Sequence, residues 1–92
     1  MGLLNHILES KLRLRILMVL AELEELNVTQ LAKLTGTSYT SIMKHVNALE
    51  EVGLVKTVTI GRMRVIKLNT QSPAYSMVKE LAKILKDLDK LS

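Results

Sequence analysis

Two neighbouring helical patterns with a very short connection constrain the fold of this chain more than any other feature. The first pattern begins at Thr29, a helix-capping residue, and reaches Gly36, where a helix would end. The second begins near Ser38, continues to about Glu51 and is stopped by Gly53. The inward-facing apolar positions are Leu31, Ala32 and Leu34 in the first helix, and Ile42, Val46 and Leu49 in the second. A short helix, a turn with glycine and a longer helix form a helix-turn-helix arrangement.

The second helix carries polar residues where a purely structural helix does not need them. Its opening residues are poor helix formers, and the face opposite the apolar stripe carries Thr40, Lys44 and Asn47. A recognition helix needs such an outward set, because its N-terminal residues lie against base edges in the major groove. Small hydroxyl groups allow close approach, and a lysine reaches a guanine edge or a phosphate. The alternative is that Ser38 is only an N-cap and that the outward residues form an ordinary solvated face.

His45 lies at the edge of the apolar stripe of the second helix. We expect it to be packed and hydrogen-bonded, or to contact a phosphate, rather than to read a base or bind a metal. The other histidine, His6, is distant in the sequence, and the chain has no cysteine. Two histidines without cysteines or clustered carboxylates make a weak case for a metal site. We therefore predict no metal site, no cofactor and no disulfide.

A further helix is predicted before this unit, from about Lys11 to Glu25, with Ser10 as its N-cap. Its apolar residues cover more than one face, so it has to be buried on two sides, in its own domain or against a partner chain. The amphipathic stretch from Leu3 to Leu8 is either a separate helical turn or the start of this helix. After it, Asn27 and Val28 are expected to form an extended link that is too short to be a strand.

A β-hairpin is predicted after the second helix of the pair, because two β-rich runs flank Gly61 and Arg62. Glycine at the first central position of a two-residue loop fits a type II′ turn. The predicted cross-strand pairs are Ile60 with Met63, Thr59 with Arg64, Val58 with Val65, and Lys56 with Lys67.

The hairpin has a cationic tip, formed by Arg62 and Arg64, of the kind that enters a minor groove or holds phosphates. Lys56 opposite Lys67 is an unfavourable pair unless an anion or ordered water relieves it, so both are expected to contact phosphates. The alternative is an edge hairpin that its charges keep soluble. The apolar pairs of the hairpin would pack on the first helix, pack on a partner chain or stay exposed, and the sequence does not decide among these.

A last helix is predicted from Pro73, in its first turn, to about Leu91. Its apolar residues repeat at alternating spacings of four and three, as in the seam of a coiled coil. These residues are Met77, Leu81, Ile84, Leu88 and Leu91. We predict that this strip is the dimer interface, together with the first helix. The alternative is a fourth core helix packed on its own domain.

The charge of this chain is concentrated in its middle third. The formal net charge is +4, of which residues 38–67 carry +3, and no acidic residue occurs between Val52 and Ser72. This basic segment favours an anionic partner.

No apolar run is long enough to span a membrane and the N-terminus lacks a signal-peptide pattern, so we expect a cytoplasmic protein. The chain has no Ser/His/Asp set, phosphate-binding glycine loop or carboxylate pair attributable to a cleft, so we predict that it is not an enzyme.

Residues 11–68 resemble the ArsR-like group of bacterial and archaeal transcription regulators. The matching segments are LRLRILMVLAE, VTQLAKLTGTS, TSIMKHVNALEEVGLVK and IGRMRVIKL, of which KHVNALEEVGLV is the most specific. The resemblance implies a DNA-binding homodimer that regulates transcription. It does not identify an effector, because many members of this group sense metals through Cys and His pairs that this chain lacks.

The sequence therefore predicts a mainly α winged helix-turn-helix domain over residues 1–92, with a DNA-binding core at 11–68 and a dimerisation helix at 73–91. The predicted function is sequence-specific binding of double-stranded DNA, with the recognition helix in the major groove and the wing on the minor groove and backbone. The predicted DNA-binding residues are Ser38, Tyr39, Thr40, Ser41, Lys44, Asn47, Lys56, Arg62, Arg64 and Lys67. The alternatives are a winged-helix module for protein–protein contact, as in a small subunit of an assembly, and non-specific, chromatin-like DNA binding.

Overall fold

The computed structural model describes residues 10–91 and consists of four helices and a three-stranded antiparallel sheet. In chain order the elements are α1 (Lys11–Leu23), β1 (Glu25–Asn27), α2 (Val28–Thr35), α3 (Tyr39–Glu51), β2 (Val55–Ile60), β3 (Met63–Leu68) and α4 (Tyr75–Leu91). This order is that of a winged helix-turn-helix domain, so the predicted fold class is confirmed. The sequence predictions for Leu3 to Leu8 and for His6 lie outside the described residues.

Helix α1 begins as predicted, because the Ser10 hydroxyl accepts a hydrogen bond from the backbone N–H of Arg13 at 3.3 Å. It ends at Leu23, two residues earlier than predicted. Glu24 leaves the helix with φ +70° and ψ −46°, although its N–H still donates to the Leu20 carbonyl. This change of direction allows the following residues to run as a strand.

The prediction that the link after α1 is too short to be a strand was wrong. Residues Glu25–Asn27 form β1, which pairs with β3. The pairing satisfies backbone groups on the outer edge of β3, and it makes the expected two-stranded hairpin a three-stranded sheet in the order β1-β3-β2. A three-residue strand has too few side chains for its alternation to be recognised in the sequence.

Helix α2 is capped by Asn27, not by Thr29 as predicted. The Asn27 side chain accepts from the Gln30 N–H at 2.7 Å, and the Gln30 side chain accepts from the Asn27 N–H at 3.1 Å. This reciprocal capping box starts the helix at Val28. The inward positions of α2 are Val28, Leu31, Ala32 and Thr35, which recur at helical spacing. Leu34 is 51% exposed, and its predicted inward position was wrong.

The helix-turn-helix itself is as predicted. Gly36 ends α2 in the left-handed conformation, with φ +66° and ψ 31°. Two residues later Ser38 caps α3, where its hydroxyl accepts from the Ser41 N–H at 3.2 Å. The apolar stripe of α3 is buried as predicted, and Met43 is buried with it.

The β2–β3 hairpin has the predicted register in all four cross-strand pairs. Gly61 has φ +61°, whereas Arg62 is not among the described residues with positive φ. Positive φ at the first central position alone is the signature of a type II′ turn, as predicted.

The core lies between α1, α2, α3 and the inner face of the sheet. Its fully buried large side chains include Ile16, Leu17, Leu20, Leu31, Ile42, Leu49 and Ile66. Helix α4 covers α1 from the other side and contributes Val78, so α1 is enclosed on two sides, as its apolar pattern predicted. No helix between residues 10 and 91 is long and apolar enough to cross a membrane.

Candidate nucleic-acid interface

The outward face of α3 is polar and accessible along its N-terminal half. Tyr39, Thr40, Lys44 and Asn47 are exposed, and Ser41 is half-buried. The buried stripe on the opposite side fixes this orientation, because an apolar face turned outward would lose its burial. The residues that the sequence assigned to this face therefore lie together on one accessible side of the helix.

Ser38 has a structural role at the start of α3, since its oxygen caps the helix. The residue is nevertheless exposed, and its O–H group remains able to donate to an anion. The N-cap interpretation of Ser38 is therefore confirmed, and it does not conflict with a phosphate contact at the same residue.

His45 is packed and hydrogen-bonded, as the sequence predicted. Its Nδ1 accepts a hydrogen bond from Nε of Arg13 at 3.2 Å. Arg13 is itself buried, which the sequence analysis missed, because an arginine in an otherwise apolar helical pattern is usually solvated. The signal available in the sequence was its position, one turn before the fully buried Ile16 and Leu17 and so on the inner side of α1.

The cationic residues of the wing divide between the two faces of the hairpin. Arg64 lies two residues before the buried Ile66, so both side chains leave β3 on the face that covers the core. Lys56 and Lys67, which are paired across β2 and β3, lie on the opposite, outer face. Arg62 is exposed in the turn between the strands. Lys56 and Lys67 therefore do not form one continuous patch with Arg64.

Two carboxylates contribute to the base of the wing, and neither was predicted there from the sequence. Glu25 in β1 is the cross-strand partner of Lys67 on its other side, so Lys67 lies between a lysine and a glutamate. Glu50, at the end of α3, accepts hydrogen bonds through Oε2 from the backbone N–H of Thr57 at 3.0 Å and from its hydroxyl at 2.9 Å. Glu25 reduces the net positive charge at the wing base, and the two hydrogen bonds of Glu50 join α3 to the wing.

The apolar pairs of the hairpin lie on its outer face and remain largely exposed. Val58, Ile60 and Met63 are all accessible, whereas Val65, in the middle strand, is buried. Asn27 donates from Nδ2 to the Met63 sulfur at 3.6 Å, so the end of β1 contacts this surface. The sequence left open whether these apolar pairs pack on the first helix, pack on a partner chain or stay exposed. In the structure three of the four side chains are exposed, and only Val65 is buried.

Helix α4 carries two adjacent apolar stripes. The inner stripe, with the buried Val78, packs on α1, and two lysines reinforce this packing. Lys79 donates to the Ala21 carbonyl at 2.7 Å, and Lys86 pairs with Glu22 at 3.0 Å. The outer stripe is the predicted dimer strip. Its exposed members are Met77, Ile84 and Leu88, and Leu81 is half-buried.

A groove of about 910 Å³ runs between α1 and α4. Its lining includes the apolar side chains of Leu14, Met18 and Val19 of α1, together with Lys11 and Lys83. Across residues 10–91, no three His, Asp or Glu side chains are grouped so that they could hold a metal ion.

Several solved structures share this fold. HlyU from Vibrio cholerae N16961, in its reduced form, superposes with a TM-score of 0.76 at 27% identity. The aligned region covers 94% of this chain and 83% of the HlyU chain. The transcriptional regulator HlyU from Vibrio vulnificus CMCP6 gives 0.75 at 28% identity, covering 94% and 82%. The antimony-specific transcriptional repressor AntR gives 0.77 at 22% identity, covering 99% and 80%, and supports the fold alone. No curated protein sequence matches the chain significantly.

The family comparison agrees with this architecture. The model of the bacterial regulatory protein family arsR matches residues 10–57, just over half of the chain, from the cap of α1 into β2. The matched segment contains the whole helix-turn-helix and its recognition helix. The chain therefore belongs to the arsR family of bacterial regulatory proteins and is a DNA-binding transcriptional regulator of the winged-helix type.

Proposed function

We propose that this regulator binds double-stranded DNA sequence-specifically as a homodimer. The observation that carries the proposal is the polar, accessible face of α3, held outward by a fully buried apolar stripe on its other side. A helix that docked on protein would be expected to present apolar residues there, whereas base edges offer hydrogen-bonding groups.

Helix α3 enters the major groove in this proposal. Lys44 and Asn47 have the length and the donors to reach base edges, with lysine suited to guanine and asparagine to adenine. Thr40 allows a close approach to the groove. Ser38, Tyr39 and Ser41, at the start of the helix, contact the backbone or the first bases.

The wing provides a second contact with DNA. Arg62 and Arg64 reach the minor groove or its phosphates, because both are exposed at or next to the turn. Lys56 and Lys67 are on the outer face of the hairpin and make phosphate contacts at its base. Glu25 opposite Lys67 makes this contact weaker than that of the arginines.

Dimerisation occurs through the outer stripe of α4. Its exposed leucine, isoleucine and methionine side chains would remain in water in a monomer. A two-fold axis along this helix places two copies of α3 so that they meet successive major grooves about 34 Å apart. Within the single domain 1–92, residues 11–68 then read DNA and residues 73–91 join the protomers. The protein acts in the cytoplasm, where bacterial DNA is located.

Selection of bound duplexes from random DNA tests this function. A sequence-specific homodimer enriches a palindrome with half-sites about one helical turn apart. Binding without enrichment would instead indicate a chromatin-like protein, and the absence of duplex binding at low salt would refute the proposal.

One observation favours a second candidate function, contact with another protein. The exposed apolar side chains of Val58, Ile60 and Met63 form a surface on the outer wing face that DNA does not need. If no duplex binds while Ile60→Ser and Met63→Ser remove binding to a protein partner, the winged-helix interaction module is the better description.

A further inference from the structure

Arg13 is the only charged side chain that is buried among residues 10–91, with 7% of its surface exposed. It lies in the first turns of α1, at the end where Ser10 caps the helix. A buried guanidinium is unfavourable unless its donors are hydrogen-bonded, and a methionine would fill similar space without that requirement. The core therefore contains a polar group that packing alone does not explain.

A hydrogen-bond partner of Arg13 lies on the recognition helix. Nε of Arg13 donates to Nδ1 of His45 at 3.2 Å, across 32 residues of sequence. Arginine has no acceptor and stays protonated, so Nδ1 of His45 must be the acceptor in this bond. The bond joins α1, which packs against α4, directly to α3.

The apolar stripe of α3 sets which face of the helix points outward, and this bond adds a directional constraint on small rotations within that orientation. Contacts among Ile42, Val46 and Leu49 are non-directional, so a small rotation of α3 about its axis costs little burial. A hydrogen bond weakens steeply when its angle changes. His45 directly follows Lys44, so a fixed imidazole also fixes the direction in which the Lys44 side chain leaves the helix.

We propose that Arg13 is a positioning residue for DNA recognition, which sets the rotation of α3 through His45. The inference rests on the proposed sequence-specific binding, and it says what fixes the orientation of the outward face of α3. Arg13 touches no DNA in this proposal, and its effect reaches the bases only through α3. Loss of the bond should therefore lower sequence discrimination more than general affinity for duplexes.

The test compares affinity for the selected operator with affinity for a scrambled duplex. Arg13→Met and His45→Leu should each weaken operator binding roughly tenfold and change scrambled-duplex binding by less than about twofold. The double variant should be no weaker than either single variant, because the two substitutions remove the same bond. His45→Asn, which places a carbonyl oxygen near the position of Nδ1, should recover most of the discrimination.

Arg15→Met is the matched control. Arg15 is on the same helix but exposed, and it donates to the Leu34 carbonyl of α2 at 3.0 Å rather than to α3. Its substitution should leave the ratio of operator to scrambled affinity unchanged. A merely structural role for Arg13 predicts a lower melting temperature with the same ratio, and that result would overturn the inference. The inference would also be overturned if the double variant lost operator affinity by the product of the two single losses.

Amide NMR of the free proteins separates this inference from the proposed function. Arg13→Met should shift the signals of Thr40, Lys44 and Asn47, whereas Arg15→Met should not. Unshifted α3 signals would overturn the inference, and a wild-type protein without sequence preference would overturn the proposed function alone. If Arg13→Met does not fold, the ratio of operator to scrambled affinity is compared between His45→Leu and His45→Asn instead. Equal ratios for these two variants would overturn the inference.

Discussion

Glu25 lies directly opposite Lys67 in the antiparallel pair of β1 and β3, on the outer face of the wing. Lys67 pairs with Lys56 on its other side, so the middle residue of this row has a carboxylate on one side and a cation on the other. Opposite charges at directly paired positions attract, and like charges repel. The strand that the sequence analysis missed therefore supplies the anion that relieves the unfavourable lysine pair.

Neutralising this carboxylate should strengthen DNA binding. We expect Glu25→Gln to raise duplex affinity about twofold at low salt, because exposed charge pairs contribute a few tenths to one kcal/mol. The gain should disappear at high salt, where exposed charges are screened. Fluorescence anisotropy titrations measure both effects, with Glu80→Gln on α4 as the control. Unchanged duplex affinity in Glu25→Gln at low salt would show that the wing base does not approach DNA.

The cations should differ in what they contribute. Lys44→Ala should weaken operator binding by about 1–3 kcal/mol and random-duplex binding much less, if Lys44 reads a base. Arg62→Ala and Arg64→Ala should weaken both and lower the salt slope by about 0.9 for each phosphate group that the variant no longer neutralises. Binding constants measured over a series of salt concentrations provide the comparison. An equal weakening of all duplexes by Lys44→Ala would mean that Lys44 binds a phosphate.

The wing turn should be sensitive to its glycine although it buries nothing. A Cβ at Gly61 would meet no atom within 4 Å, so the effect of Gly61→Val comes from φ +61° alone. We expect the strain to displace the arginines and weaken duplex binding several-fold, while the core remains folded. Gly61→Asn, which tolerates positive φ better, is the control. Circular dichroism and anisotropy test this, and normal DNA binding by Gly61→Val would mean that the wing is not a DNA element.

Charges on the outer stripe of α4 should separate the protomers. Ile84→Glu with Leu88→Glu is the sharpest variant, because both side chains are exposed in the monomer. Leu81→Glu with Leu88→Glu should act similarly, although Leu81 is half-buried. Sedimentation should give monomers that keep their helical signal and lose sharp binding to a palindrome.

Two results would contradict this interface. A dimer that survives both double substitutions would place the contact elsewhere, such as on α1. Unfolding of Ile84→Glu with Leu88→Glu would make the outer stripe part of the fold itself. Val78→Glu is the control for such unfolding, because Val78 is in the core.

Relief of backbone strain at Glu24 should stabilise the fold. Glu24 is the only non-glycine residue between positions 10 and 91 with positive φ, and φ +70° with ψ −46° is unfavourable for a side chain with a Cβ. We expect Glu24→Gly to raise the free energy of unfolding by about 1 kcal/mol, which corresponds to an increase in Tm of about 4–8 °C. Glu25→Gly, in extended backbone, should instead lower it. Thermal unfolding monitored by circular dichroism decides between these outcomes.

The hairpin and the helix-turn-helix could be predicted because their signals are local. Gly61 alone determined the turn type, and the turn then determined every pair from Ile60–Met63 to Lys56–Lys67. The apolar stripe of α3 likewise determined which of its residues face outward. Each of these features depends on residues a few positions apart.

Features that depend on distant segments could not be predicted. Strand β1 exists because β3 offers it hydrogen bonds, about forty residues later in the chain. The bond between Arg13 and His45 joins two helices across 32 residues, and the cap of α2 is Asn27 although Thr29 is also a capping residue type. The first two features depend on a residue in another helix or strand. The third depends on which of two nearby capping residues accepts the hydrogen bond.

The carboxylate of Glu50 links the end of α3 to the wing through both polar groups of Thr57. The two elements proposed to enter different grooves are therefore already fixed relative to each other in the free protein. A flexible hairpin would lose conformational entropy when DNA ordered it, and that loss would subtract from the affinity. Here two hydrogen bonds already hold the start of β2 against the end of α3 when the chain has folded, so less of that entropy remains to be lost when the wing binds DNA.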